Sequence, residues 1–231
     1  MKKLIFLIFF SVLLTPAQTQ AQVNDEKTGA WYMYFWNTTL NQSKFGLQGD
    51  VQYRNWNLIG DLEQLLLRGG ITYSPENANI KFTAGYAHIT TGTYGDSKNT
   101  FTESRIYQEA LLPQKLSDRF HLIHRFRYEQ RWVESQDFRT RFRYNLFLNI
   151  PINQQNLNRN ALYLAFYNEL FINGERKIGD GRNVQIFDRN RFYSGVGYGI
   201  TDALRVQVGF MEQTTDTNSK GQLQLSLHHT L

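Results

Sequence analysis

Arginine recurs at alternate positions in two neighbouring segments of this chain. Arg125, Arg127 and Arg131 flank Glu129, and Arg139, Arg141 and Arg143 follow a few residues later. A spacing of two puts such side chains on one face of a strand. A tight turn around Ser135 would set Arg131 opposite Arg139, Glu129 opposite Arg141, and Arg127 opposite Arg143. Six arginines and one glutamate would then share one stretch of wall. Like charges directly opposite one another destabilise a sheet, so this arrangement needs compensation. Glu103, Glu109 and Glu169 are the candidate counter-charges, with Arg105 and Arg191 on the same track and Glu212 on a later strand. Two chemistries fit. Guanidinium groups stay charged and grip carboxylate or phosphate in a bidentate way, so the track could bind or select anions. Alternatively, Arg/Glu pairs could fill an interior and set its register.

A second constellation is Ser226 and His228 on one face of the last segment, with Glu169 or Glu212 as a possible acid. Such a set would make a lipid hydrolase. The chain has no G-x-S-x-G motif, and a Ser/His pair on alternate residues is a frequent accident, so no enzyme is expected. Cysteine is absent, which excludes disulfides, thiolate metal sites and cysteine nucleophiles. The five histidines lack zinc-ligand spacing, and His228 and His229 point to opposite faces of a strand. No Gly-rich phosphate loop is present, so no cofactor is expected.

The elements that must position these groups read as strands. Residues 1–21 come first and resemble a signal peptide: Lys2 and Lys3, an apolar run from Leu4 to Leu14, Pro16, then Thr19 and Ala21 before the cleavage point. That run is too short to span a bilayer as a helix. The mature domain, 22–231, carries 23 basic against 20 acidic residues once the two lysines are removed. That mild excess, together with export, argues against nucleic acid as a partner. From Gln22 onward the chain alternates between apolar and polar residues, the period of a two-faced strand. Phe120, Leu122, His124, Phe126, Tyr128 and Trp132 oppose the first set of arginines. Phe142, Tyr144, Leu146 and Leu148 oppose the second. A soluble sandwich would turn the apolar face inward, whereas a membrane barrel would turn it toward lipid.

Three features favour the barrel. Aromatic residues cap the apolar faces near segment ends, many segments are long enough for tilted membrane strands, and the chain ends on an alternating segment closed by Leu231. The expectation is an all-β, antiparallel up-and-down transmembrane barrel of about ten strands, with twelve as the alternative. Eleven candidate segments can be counted. Barrels of this kind usually hold an even number, so the first, Trp31–Asn37, is expected to fall short of a full strand. If the chain ends in the periplasm, the long connections Thr90–Thr100 and Asn173–Gln185 lie outside. The turns Pro113–Asp118 and Thr201–Ala203 then lie inside.

Several short motifs occur in order: Gln52-Tyr-Arg54, Glu63-Gln-Leu-Leu-Leu-Arg68, Glu103-Ser-Arg105, His124-Arg-Phe-Arg-Tyr-Glu-Gln-Arg131, Arg141-Phe-Arg-Tyr144, Asn168-Glu-Leu-Phe171 and Asp188-Arg-Asn-Arg191. The ordered set resembles domain-of-unknown-function family 2490 across nearly the whole mature chain. The resemblance implies an outer-membrane-type protein and supplies no catalytic residues. The expected setting is the bacterial outer membrane. Its lipids and the barrel-assembly machinery, acting through the last strand, would be partners, and a small anionic solute is a further candidate.

Overall fold

The computed structural model describes residues 28–41, 43–95 and 98–231. The signal-peptide segment lies outside the described residues. The strands are β1 (Gly29–Thr39), β2 (Phe45–Asn55), β3 (Leu62–Tyr73), β4 (Lys81–Gly92), β5 (Thr100–Lys115), β6 (His121–Val133), β7 (Arg139–Pro151), β8 (Leu162–Asn173), β9 (Phe187–Gly199), β10 (Leu204–Thr214) and β11 (Ser219–Thr230). They close into one barrel in chain order. Successive strands pair antiparallel, and β1 closes on β11 in parallel, from Gly29 opposite Gln222 to Asn37 opposite Thr230.

The barrel therefore has eleven strands, not ten or twelve. Hairpin connections reverse the chain at every step, so an odd count leaves the first and last strands running the same way. The first segment is no partial strand: it pairs along its length with β2 as well as β11. Parity alone produced the expectation of an even number, and a parallel seam satisfies the β1 edge without an extra strand.

Alternation sorts the side chains as the sequence pattern implies. On β2, Val51 and Tyr53 are exposed outside while Asp50, Gln52 and Arg54 are buried within; on β6, Phe126 and Trp132 face out while Arg127, Glu129 and Arg131 face in. The interior has two characters. Ion pairs fill the wall of β5 to β8, whereas Trp31, Ala165, Tyr193 and Met211 belong to an apolar cluster across β1, β8, β9 and β10. Lumenal tyrosine rings lie against glycines: Tyr107 on Gly85, Tyr163 on Gly197 and Tyr193 on Gly209 of the neighbouring strands, and Tyr193 also on Gly195 of its own strand. A side chain at these glycines would occupy the volume of the ring.

One rim, here the upper, carries residues 56–61, 93–95, 98–99, 134–138, 174–186 and 215–218. The lower rim, where β11 ends, carries 40–44, 74–80, 116–120, 152–161 and 200–203. The turn expected at Pro113 starts later, because β5 continues to Lys115 and pairs Pro113 with Ile123. The 152–161 connection makes the lower rim less uniformly short than expected. At the upper rim, Ser135 takes a positive φ of 57° in the β6–β7 turn. Residues 174–186 fold down over that turn. Glu175 accepts hydrogen bonds from the backbone N–H of Thr140 at 2.5 Å and from its hydroxyl at 2.9 Å. Arg182 donates to the Ser135 carbonyl, and the Asp137 N–H donates to the Ile178 carbonyl at 3.0 Å.

Candidate functional site

Pairing of β6 with β7 sets Arg131 opposite Arg139, Glu129 opposite Arg141, and Arg127 opposite Arg143. Strand β5 extends the rows: Arg105 lies opposite Arg131, and Glu109 opposite Arg127. Three arginines thus stand side by side across β5, β6 and β7. Carboxylates from adjacent rows separate the charges. Glu103 accepts from Arg105 at 2.6 Å and from Arg131 at 2.5 Å. Glu109 accepts from Arg127 at 2.5 Å. Glu169 binds Arg125 and Arg143, each at 2.6 Å, and lies 3.9 Å from Arg191, its register partner on β9.

Glu129 is the hub and is only 1% exposed. Its two oxygens accept from Arg141 at 2.7 Å and Arg143 at 2.6 Å. Arg105 and Arg127 stand 3.7 Å away. Charge-assisted pairs of this geometry are the strong class of hydrogen bond. Arg139 is the exception among the expected track residues: it forms no ion pair within 4 Å among the described residues, and its Nε has no hydrogen-bond partner.

The structure adds groups beyond those singled out from sequence. Asp188 accepts from Arg141 at 3.0 Å and from Arg189 at 3.1 Å. Asp50 pairs with Arg68 at 2.8 Å, and Lys220 lies 3.4 Å from Glu63. Their signal was present, since each sits on a polar face, but periodicity does not say which faces meet across the lumen. Aromatic rings also act inside. The Arg143 and Arg191 guanidiniums lie 4.5 and 4.7 Å from the buried Phe171 ring, and Trp31 sits between Arg54 at 3.7 Å and Arg191 at 4.8 Å. Stacking of this kind holds weakly hydrated guanidiniums away from water.

The ion-pair network closes the upper half of the lumen. Below it lies a cavity of about 310 Å³, with Arg54, Arg127, Arg143 and Arg191 in its floor and Phe35, Leu111, Ile123 and Phe147 in its walls. Half-buried side chains toward the lower rim, among them Asn37, Asn149 and Arg205, mark its opening.

The Ser226/His228 pair also faces this cavity, with Ser226 Oγ 3.0 Å from His228 Nε2. The His228 ring stacks on Phe35 at 5.0 Å. No carboxylate bonds to His228 among the described residues. Glu212 faces outward and accepts from Ser219, while Glu169 is engaged by arginines. The acid of a triad is therefore not delivered. Among the described residues no group of three or more His, Asp or Glu side chains could hold a metal ion.

The family described as "Protein of unknown function (DUF2490)" matches residues 28–224, a span that begins before β1 and ends within β11. The chain belongs to this family. An uncharacterised protein of Methylorubrum extorquens is 27% identical, over 97% of this chain and 94% of its own length. No solved structure matches the chain. The family match thus covers the β-barrel up to the middle of β11 and assigns no role to its lumen.

Proposed function

We propose that this protein is a bacterial outer-membrane barrel whose lumen is closed by its own ion pairs rather than open as a pore. The inside-out distribution of side chains carries this reading. A barrel in water buries its apolar face, whereas here Phe126, Phe142, Phe192, Val208 and Leu225 point outward and the arginines point inward. A strand of 11 residues spans about 36 Å. Tilted by about 45°, it covers roughly 26 Å, close to the apolar band of outer-membrane barrels. Every backbone edge is paired by closure, the condition for residence in hydrocarbon. Strand β11 turns Leu223, Leu225 and Leu227 outward, the element such a protein would offer to barrel-assembly machinery.

A through-going anion pore is the other use of an arginine track. It would require the Glu103 and Glu129 networks to part. The closed lumen supports a barrel that conducts nothing in its resting form.

The test is insertion into lipid vesicles, with Arg substituted at two depths. Phe126 lies near the middle of β6, so Phe126→Arg costs about 2–4 kcal/mol of stability in the bilayer. Phe101 lies at the upper end of β5, and Phe101→Arg costs about 0–1 kcal/mol. Equal and negligible costs, with the protein staying in the aqueous fraction of a flotation gradient, would refute the membrane setting. Anion-selective steps from unmodified protein in planar bilayers would refute the closed lumen and leave the membrane setting intact.

A further inference from the structure

The lower cavity has a charge balance unlike the network above it. Eight Arg or Lys side chains line it against three Asp or Glu. All three carboxylates are occupied: Asp50 by Arg68, Glu109 by Arg127, and Glu169 by Arg125 and Arg143. Lys81 and Arg205 line the cavity and make no hydrogen bond or ion pair within 4 Å among the described residues. Arg205 stands directly opposite His228 on β11, beside the Ser226 hydroxyl.

The closed end of the cavity is polar. Two deeply buried side chains lining the cavity carry polar atoms without a hydrogen-bond partner: Oδ1 of Asn145, a residue 2% exposed, and Nη1 of Arg127, a residue 6% exposed. Neither atom is itself exposed to the cavity, and Arg127 Nη1 lies 3.7 Å from Glu129, so the two make the closed end of the cavity polar without being binding groups themselves. Apolar walls flank the cavity, with Leu111, Ile123 and Phe147 on β5, β6 and β7 and Phe35 on β1 across the lumen. An apolar pocket with a few convergent charged groups is the usual form of a small-molecule site, and about 310 Å³ is at the small end of the range.

We propose that this cavity is a binding site for a small water-borne anion: a carboxylate or phosphate monoester on a short aromatic or aliphatic body. Arg205 holds the anionic head, His228 and Ser226 beside it add hydrogen bonds, Lys81 adds positive charge from the opposite wall, and the apolar wall takes the body. The closed hydrogen-bonded sheet has no lateral gap for a bilayer lipid, so the ligand enters through the lower rim. Ser226 acts here as a hydrogen-bonding group and not a nucleophile. His228 has no carboxylate orienter among the described residues. This inference goes beyond the membrane reading and does not depend on it, because the cup is the same wherever the barrel resides.

Phenyl phosphate and its neutral dimethyl ester are the probes, titrated calorimetrically into the full barrel refolded in micelles. Phenyl phosphate binds saturably at one site, and the dimethyl ester does not bind. Arg205→Gln weakens binding about tenfold or more, the loss of one charge-assisted hydrogen bond. Adding Lys81→Gln weakens it further. Both side chains lack hydrogen bonds in the barrel, so these variants fold, which urea unfolding checks. Arg159→Gln removes an equal charge from the exposed 152–161 connection and leaves affinity unchanged. Inorganic phosphate binds more weakly than phenyl phosphate, because it leaves the apolar wall uncovered. Equal binding of the dimethyl ester, affinity within twofold in Arg205→Gln, or no saturable binding at millimolar concentration would each overturn the proposal.

Discussion

Replacing Glu129 by Gln keeps the shape and one hydrogen-bond acceptor but removes the charge around which four guanidiniums gather. Arg141 and Arg143 lose partners at 2.7 and 2.6 Å, and Arg105 and Arg127 lose the nearby charge at 3.7 Å. Arg143 retains Glu169 and Arg141 retains Asp188, so the damage is shared but not repaired. Breaking a buried pair by removing one partner costs about 3–5 kcal/mol. With four cations involved, the upper part of that range is expected, roughly a thousandfold or more in the folding equilibrium. The exposed Lys44–Glu76 pair is the internal contrast, at 3.1 Å with side chains 45% and 72% exposed. There Glu76→Gln costs at most about 1 kcal/mol. Urea titration of refolded protein, followed by tryptophan fluorescence, measures both. Glu129→Gln/Arg141→Gln removes one of the stranded cations and recovers part of the loss, with a coupling of about 0.5–3 kcal/mol. A Glu129→Gln barrel within about 1 kcal/mol of the unmodified protein, or a double variant less stable than the single, would refute the view that the hub holds the lumen together.

The parallel seam can be tested by cysteine crosslinking, since the chain has no cysteine of its own. Val51, Tyr34 and Leu227 form one row across β2, β1 and β11. Tyr34→Cys with Leu227→Cys therefore joins readily as a disulfide under mild oxidation. Val51→Cys with Leu227→Cys, two strand spacings or about 9.6 Å apart, joins far more slowly. The reverse order of rates would mean that β1 is not in the wall. Gly197→Val places a side chain where the Tyr163 ring now lies. It lowers stability by about 1–3 kcal/mol, and adding Tyr163→Ala relieves part of that cost; no change in the urea midpoint would count against the ring-on-glycine packing.

Much of this architecture was legible along the chain because alternation is a local property. The two faces of β6 and β7 follow from a period of two, and the short link through Ser135 sets their register, so Arg131 meets Arg139 and Glu129 meets Arg141. The motif-bearing strands, the compensating Glu103, Glu109 and Glu169, and the closure of the sheet could be argued in the same way. Other features depend on what lies across the barrel axis. Phe171 and Trp31 look in sequence like any other ring on an apolar face, yet they sit inside as platforms for arginines drawn from several strands. The cavity with Lys81 and Arg205 joins β4 to β10, far apart in the chain. Strand count, the parallel seam, and the division of the lumen into a filled half and an open cup arise only on closure. Local alternation decides which side of each strand is charged. The closed sheet determined which charged sides meet and which are left without a partner, because strand number and stagger set those distances and no local pattern records either.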